Sequence, residues 1–156
     1  MSFASFMRNQ KTVLATSQSN NSTVNFADVT GMSLPMMAST VYMFQFDIIW
    51  QSSTAGVGIG FGVNGPTIGT GFVLVRTEIP TSLTAVTQGM QRAYDTGTQT
   101  TTVDSTGANC FAKCYGFVSN GATAGNLVLR FKSETANQVS VMPGTMGRMW
   151  RINPSN

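Results

Sequence analysis

The residue types that carry most protein chemistry are thin in this chain. None of its 156 residues is histidine, which removes the commonest general base and metal ligand. Six carboxylates remain. Asp95 and Asp104 could bracket one loop, and paired carboxylates can run glycoside hydrolysis. Two acids in a turn-rich region read instead as ordinary turn formers. The run Gly60-Phe61-Gly62-Val63-Asn64-Gly65 formally matches GxGxxG. That motif needs a following helix whose N-terminus holds a pyrophosphate. Pro66, Gly69 and Gly71 follow here, so the match is read as accidental. Cys110 and Cys114 lie four positions apart. On one strand they share a face about 13 Å apart, too far for a disulfide. They are expected as buried thiols of a reducing compartment, and a CxxxC pair without histidine is a poor zinc site. No catalytic residue, cofactor or metal is assigned, and the chain is expected not to be an enzyme.

The totals bound the class. Charged residues make up 10% against about 25% in ordinary domains. A polar but nearly uncharged surface suits a β-rich protein that assembles, because charge is depleted in interface cores. Ten methionines serve either as core filler or as adaptable contact surface. The net charge is +3 with no basic run, so nucleic-acid binding is not expected. No apolar run approaches the ~18 residues of a membrane span, and Met1 to Asn21 lacks the apolar core of a signal peptide. The expectation is a soluble chain made in the cytosol.

The elements follow from alternation. In Thr40 to Gln51, an extended strand puts Tyr42, Phe44, Phe46, Ile48 and Trp50 on one face. Val41, Met43, Gln45, Asp47 and Ile49 fall on the other. This stretch is read as the central strand of a β core, its aromatic face toward the interior and its half-polar face a candidate subunit interface. Strand alternation is also read from Val24 and Phe26 onward. At 56–63 four glycines are expected to sit under something bulky. Further strands are read at 72–79, within 81–95, at 98–103 and at 110–118, where Phe111, Lys113, Tyr115 and Phe117 face outward. The remaining ones fall at 127–132, with Arg130 and Lys132 outward, at 139–141 and at 146–152. Arg148 shares a face with Trp150, and Arg151 points the opposite way. Eight or nine short strands with turn signals between them argue a sandwich or barrel, and eight in two sheets is the jelly-roll count. The chain divides into an N-terminal arm at 1–21 and a β-sandwich at 22–156. The arm is either a frayed terminus or a segment that docks Phe3, Phe6, Met7, Val13 and Leu14 on a neighbouring subunit.

Several stretches together resemble a small β domain of tailed-phage virion proteins. They are Ala38 to Phe44, Gly62-Val63-Asn64-Gly65-Pro66, Pro80-Thr81-Ser82, Ala93 to Gly97, Gly125 to Phe131 and Ser133-Glu134. The resemblance spans about residues 36–152, and its motifs mark turns and core. It implies an all-β, single-domain, jelly-roll-like sandwich assembled as a homotrimer on a virion. A short chain of this kind looks most like a capsid decoration, or cement, protein. Its partner would be the lattice of the major capsid protein on the outer surface of the head. The candidate capsid and subunit contacts are Phe3, Phe6, Met7, Arg8, Lys11, Asp47, Arg130, Lys132, Arg148 and Arg151. The alternative is a tail-fibre or spike tip that recognises a host glycan or protein through loops such as Asn120 to Gly125.

Overall fold

The aromatic stripe at 40–51 becomes the centre of the molecule. In the computed structural model, which describes residues 9–100 and 107–152, it forms β4 (Val41–Ser52). Tyr42, Phe44, Phe46, Ile48 and Trp50 are all at most 1% exposed. Each large apolar side chain buried in this way contributes about 1.5–3 kcal/mol. Tyr42 keeps its hydroxyl satisfied by accepting from the Met37 amide at 3.0 Å.

Around it lie β1 (Asn9–Val13), β2 (Gln18–Asn20), β3 (Ala27–Met36), β5 (Ile59–Asn64), β6 (Phe72–Pro80) and β7 (Val86–Gln91). They are followed by β8 (Thr98–Gln99), β9 (Cys110–Ser119), β10 (Gly125–Ser133), β11 (Val139–Val141) and β12 (Met146–Ile152). The described residues contain no helix. One sheet runs β1-β12-β4-β9-β6-β7, with β11 continuing the β12 row along β4 and β2 pairing with β11. The second, smaller sheet runs β3-β10-β5-β8. Every pairing is antiparallel.

The connectivity is that of a jelly roll. With the short β2–β11 pair and the β6–β7 hairpin set aside, eight strands remain. The large sheet then holds them in the order first, eighth, third, sixth. The small sheet holds second, seventh, fourth, fifth. This two-Greek-key wrapping brings Ile59, Phe61 and Val63 of β5 and Leu127, Leu129 and Phe131 of β10 against the aromatic face of β4, all buried.

Two expectations change and one holds. Residues 9–20, read from the sequence as part of an arm, carry β1 and β2 of the large sheet. Residues 22–26, read as the first strand, form a turn instead. There Asn20 Oδ1 accepts from the Ser22 amide at 2.9 Å, and Ser22 Oγ accepts from the Asn25 amide at 2.9 Å. Such local side-chain bonds compete with strand pairing, and Val24 is left 77% exposed. The glycines at 58, 60 and 62 face away from the aromatic stripe. Bulky groups cover them as expected: residues 97–100, Lys132 and the Phe26 ring.

One open flank of the sandwich is closed by a distortion in β3. Between Val128 and Arg130 the β10–β3 register shifts, and β3 bulges around Gly31, whose φ of +92° favours glycine. The bulge turns the Gly31 carbonyl to the edge strand of the other sheet, where Thr12 Oγ1 donates to it at 2.8 Å.

Candidate interaction surfaces on the two outer faces

The charged residues singled out in the sequence separate onto opposite sides of the sandwich. Lys11, Asp47 and Arg148 meet on the outer face of the large sheet, because Lys11 lies opposite Arg148 in the β1–β12 ladder and Met146 opposite Asp47 in the next. Arg130 and Lys132 are on the outer face of the small sheet. Arg151 is exposed near the end of β12, on the side opposite Arg148. Phe3, Phe6, Met7 and Arg8 lie outside the described residues, as does Asp104.

On the large sheet the ladders align outward residues in rows. One apolar row runs Trp150, Met43, Phe117, Leu74 across β12, β4, β9 and β6. Beside it lie Ile152, Val41 and Phe72. At the far end of the same strands Ile49 pairs with Phe111, and Pro80 with Val86. Between these apolar zones runs a band of charges in which each acid is ion-paired with an arginine. Arg148 Nη2 lies 2.5 Å from Asp47 Oδ2, whose other oxygen accepts from Gln45 Nε2 at 2.7 Å. Lys113 sits between Asp47 and Glu78 in the ladders. Arg76 Nε lies 3.3 Å from Glu78 Oε1, which also accepts from the Tyr115 hydroxyl at 2.7 Å. That hydrogen bond, with a smaller contribution from burial, raises the Tyr115 pKa. Arg148 and Lys113 also lie over the Trp150 and Phe111 rings, at 5.9 and 5.8 Å.

Exposure marks this face. Val13, Met43, Phe72, Val86, Met90, Phe111, Phe117 and Ile152 are all large, apolar and exposed, between 38% and 63%. Only Val24, Met37 and Leu83 share that property elsewhere among the described residues. Scattered exposed hydrophobics need no explanation, whereas a contiguous apolar field marks an interaction surface.

The small sheet presents the opposite character. Its outward residues gather around Arg130. Nε lies 2.7 Å from Asp28 Oδ1, Nη1 lies 2.6 Å from Asp95 Oδ1, and Nη2 donates to the Phe26 carbonyl. Asn64 Nδ2 donates to the second Asp95 oxygen at 2.6 Å. Asp95 itself adopts φ +56°, a conformation that aspartate tolerates better than most residues. Asp28, Asn64 and Arg130 line an open hollow of about 340 Å³ together with Gly65, Asn126 and Val128. Arg130 is thus committed to two carboxylates, and no helix follows Gly65 to hold an anion. Nearby, burial pushes the Tyr94 hydroxyl up to about 12.

The loop expected to carry recognition is partly internal. Asn120 and Gly121 are buried. The Asn120 amide donates to the Thr40 carbonyl at 3.0 Å, and its side chain donates to the Met37 carbonyl at 2.9 Å. Only residues 122–124 of that loop are exposed. Cys110 and Cys114 are on β9 and form no disulfide. Cys114 is buried, which pushes its thiol up to about 12. No described helix is long and apolar enough to cross a membrane.

No protein family and no curated protein matches the sequence. Among solved structures, the Eiger TNF of S. frugiperda superposes with a TM-score of 0.43 at 10% identity, covering 96% of each chain. The CBM22-1–GH10 modules of the Clostridium thermocellum xylanase 10B give 0.35 at 10% identity. They cover 95% of this chain and 27% of that one. The VP2 subviral particle of infectious bursal disease virus gives 0.27 at 11% identity, covering 95% and 42%. At these levels of similarity the likenesses carry no argument about what the chain does.

Proposed function

We propose that this chain is a structural virion protein. In this reading it is a capsid decoration protein that binds the outer surface of an icosahedral phage head as a homotrimer, with a mechanical rather than a catalytic role. The observation that supports the reading is the two-sidedness of the sandwich. One outer face carries broad apolar zones on either side of a charge band whose two acids are each ion-paired; the other is polar, with its charges gathered on Arg130. A decoration protein needs two such surfaces, one for its own copies and one for the lattice. The sequence resemblance to phage virion domains agrees with it. Stabilisation would follow by mass action, because a protein that binds only the assembled shell shifts the equilibrium toward that shell. The test is reconstitution on expanded, undecorated capsids of the phage that encodes the chain. Saturable binding with a raised capsid melting temperature is expected. Binding to host cells with none to capsids would overturn the reading in favour of a receptor-binding tip.

A further inference from the structure

We propose that the outer face of the large sheet is the surface on which this chain packs against a second copy of itself. The expectation that copies assemble rests on the reading above; the choice of face rests on geometry.

The first argument is area. The face is six strands wide. At about 4.8 Å between strands and about 3.3 Å per residue over some eight residues, it spans on the order of 600 Å² in projection. The side chains standing on it raise the accessible area toward the ~800 Å² that each partner supplies to a standard interface. The second argument is charge. Asp47 and Glu78 are each ion-paired with an arginine on the same face, and Lys113 lies between those two acids in the ladders. Burial therefore strands no unpaired carboxylate, which avoids the large penalty of an uncompensated buried acid, and the Lys113 ammonium lies over the Phe111 ring. Against those two acids stand Lys11, Arg76, Lys113 and Arg148, an excess of two cations, with Lys11 on the edge strand. The third argument is continuity. The apolar zones reach both edge strands, at Val13 on β1 and at Val86 and Met90 on β7. A neighbouring subunit can then stay in apolar contact from the centre of the sheet to its rim.

The small-sheet face fits a second copy poorly. Its charges converge on Arg130 around an open, polar hollow, with no apolar row beside them.

The experiment compares the full chain with the double variant Met43→Asp/Phe117→Asp. These two side chains are directly opposite in the β4–β9 ladder and are 39% and 42% exposed, so both stand on the outer face rather than in the core. Sedimentation equilibrium of the unaltered protein is expected to give a multimer. The variant is expected to give a monomer with an unchanged circular dichroism spectrum. Arg130→Met serves as a control on the other face and should remain multimeric. A wild-type chain that stays monomeric up to about 100 µM, or a folded variant that stays multimeric, overturns the inference. If the variant fails to fold, the conservative pair Met43→Gln/Phe117→Gln is measured in its place, with at least a tenfold weaker association expected and no change overturning it. Failure here is distinguishable from failure of the virion reading. A multimer that dissociates in the variant but binds no capsid refutes decoration and leaves the self-association face standing.

Discussion

On the large sheet, outward side chains of neighbouring strands form straight rows; on the small sheet they converge on one arginine. The cause is the regularity of the ladders. From β12 across β4 and β9 to β6 the pairing is unbroken over the described registers. Position in the sheet alone therefore brings Arg148 to Asp47, while Arg76 and Glu78 meet two residues apart on β6. On the small sheet the β10–β3 register breaks and β8 is only two residues long. There Arg130 links β3, β10, the Phe26 carbonyl and the loop at Asp95, contacts that a longer ladder would otherwise supply. Ion pairs on the first face therefore decorate a sheet that is already held, and those on the second help hold it.

This contrast can be broken by substitution. The largest effect is expected where the small sheet is covered by its flanking loop. A Cβ on Gly97 would lie 1.9 Å from the Phe61 carbonyl oxygen, so Gly97→Ala should lower stability by about 3 kcal/mol, read as a fall in the urea midpoint. Met90→Ala, at a site 63% exposed on the large face, should leave the monomer within about 0.5 kcal/mol. Equal shifts for the two would erase the difference between the faces.

Arg130→Met comes next. It leaves Asp28 and Asp95 without their shared cation and the Phe26 carbonyl without its donor. About 2 kcal/mol of destabilisation is expected, below the value for a fully buried pair because Asp28 is 62% exposed.

High pH separates the inner side of β9 from its outer side. The buried Cys114 thiol ionises only near 12 when folded but at its ordinary value when unfolded. In between, the unfolded chain holds fewer protons than the folded one, so stability falls as pH rises, by about 1.4 kcal/mol per pH unit. Tyr94 adds a loss of the same sign above about pH 10, because its folded value is also near 12. Comparing chemical denaturation of Cys114→Ala and the parent between about pH 9 and pH 10 should show the slope removed in the variant. An identical slope in both would mean that solvent reaches the interior side of β9.

The smallest effects belong to the large-face ion pairs. Arg148→Met should cost about 1 kcal/mol, and Arg76→Met, whose side chain is 50% exposed, under about 0.5 kcal/mol. Either loss exceeding that of Arg130→Met in the same denaturation series would reverse the assignment of roles.

Much of the architecture is visible in the sequence because a strand with one buried face writes its period directly. β4, β9 and β10 show their inward and outward residues by alternation alone. β1 does not: Asn9 to Val13 lies at a sheet edge with no side chain fully buried, and nothing in its composition separates it from a loose terminus. The turn at 22–26 mimics a strand because Val24 and Phe26 alternate by accident while Asn20 and Ser22 fix the backbone locally. The surfaces were harder to see than the core. Phe111 and Phe117 are legibly outward, but their joining with Met43, Phe72 and Trp150 depends on registers between strands far apart in sequence. A one-residue slip would scatter the set. The Arg148–Asp47 pair has the same origin, with partners 101 positions apart.

The pairing of β1 with β12, which sets Val13 opposite Met146, has a consequence for how the chain reaches this state. Almost the whole sequence must be present before that edge of the large sheet can form, and β4 also waits for β12 to complete its second ladder. Non-local closures of this kind slow folding and prolong the life of partly paired species. An aromatic-rich central strand with one unpaired side is then exposed to neighbouring chains. The Thr12 bond to Gly31 ties the same edge to β3, its neighbour in sequence, by a contact that does not need the distant strand.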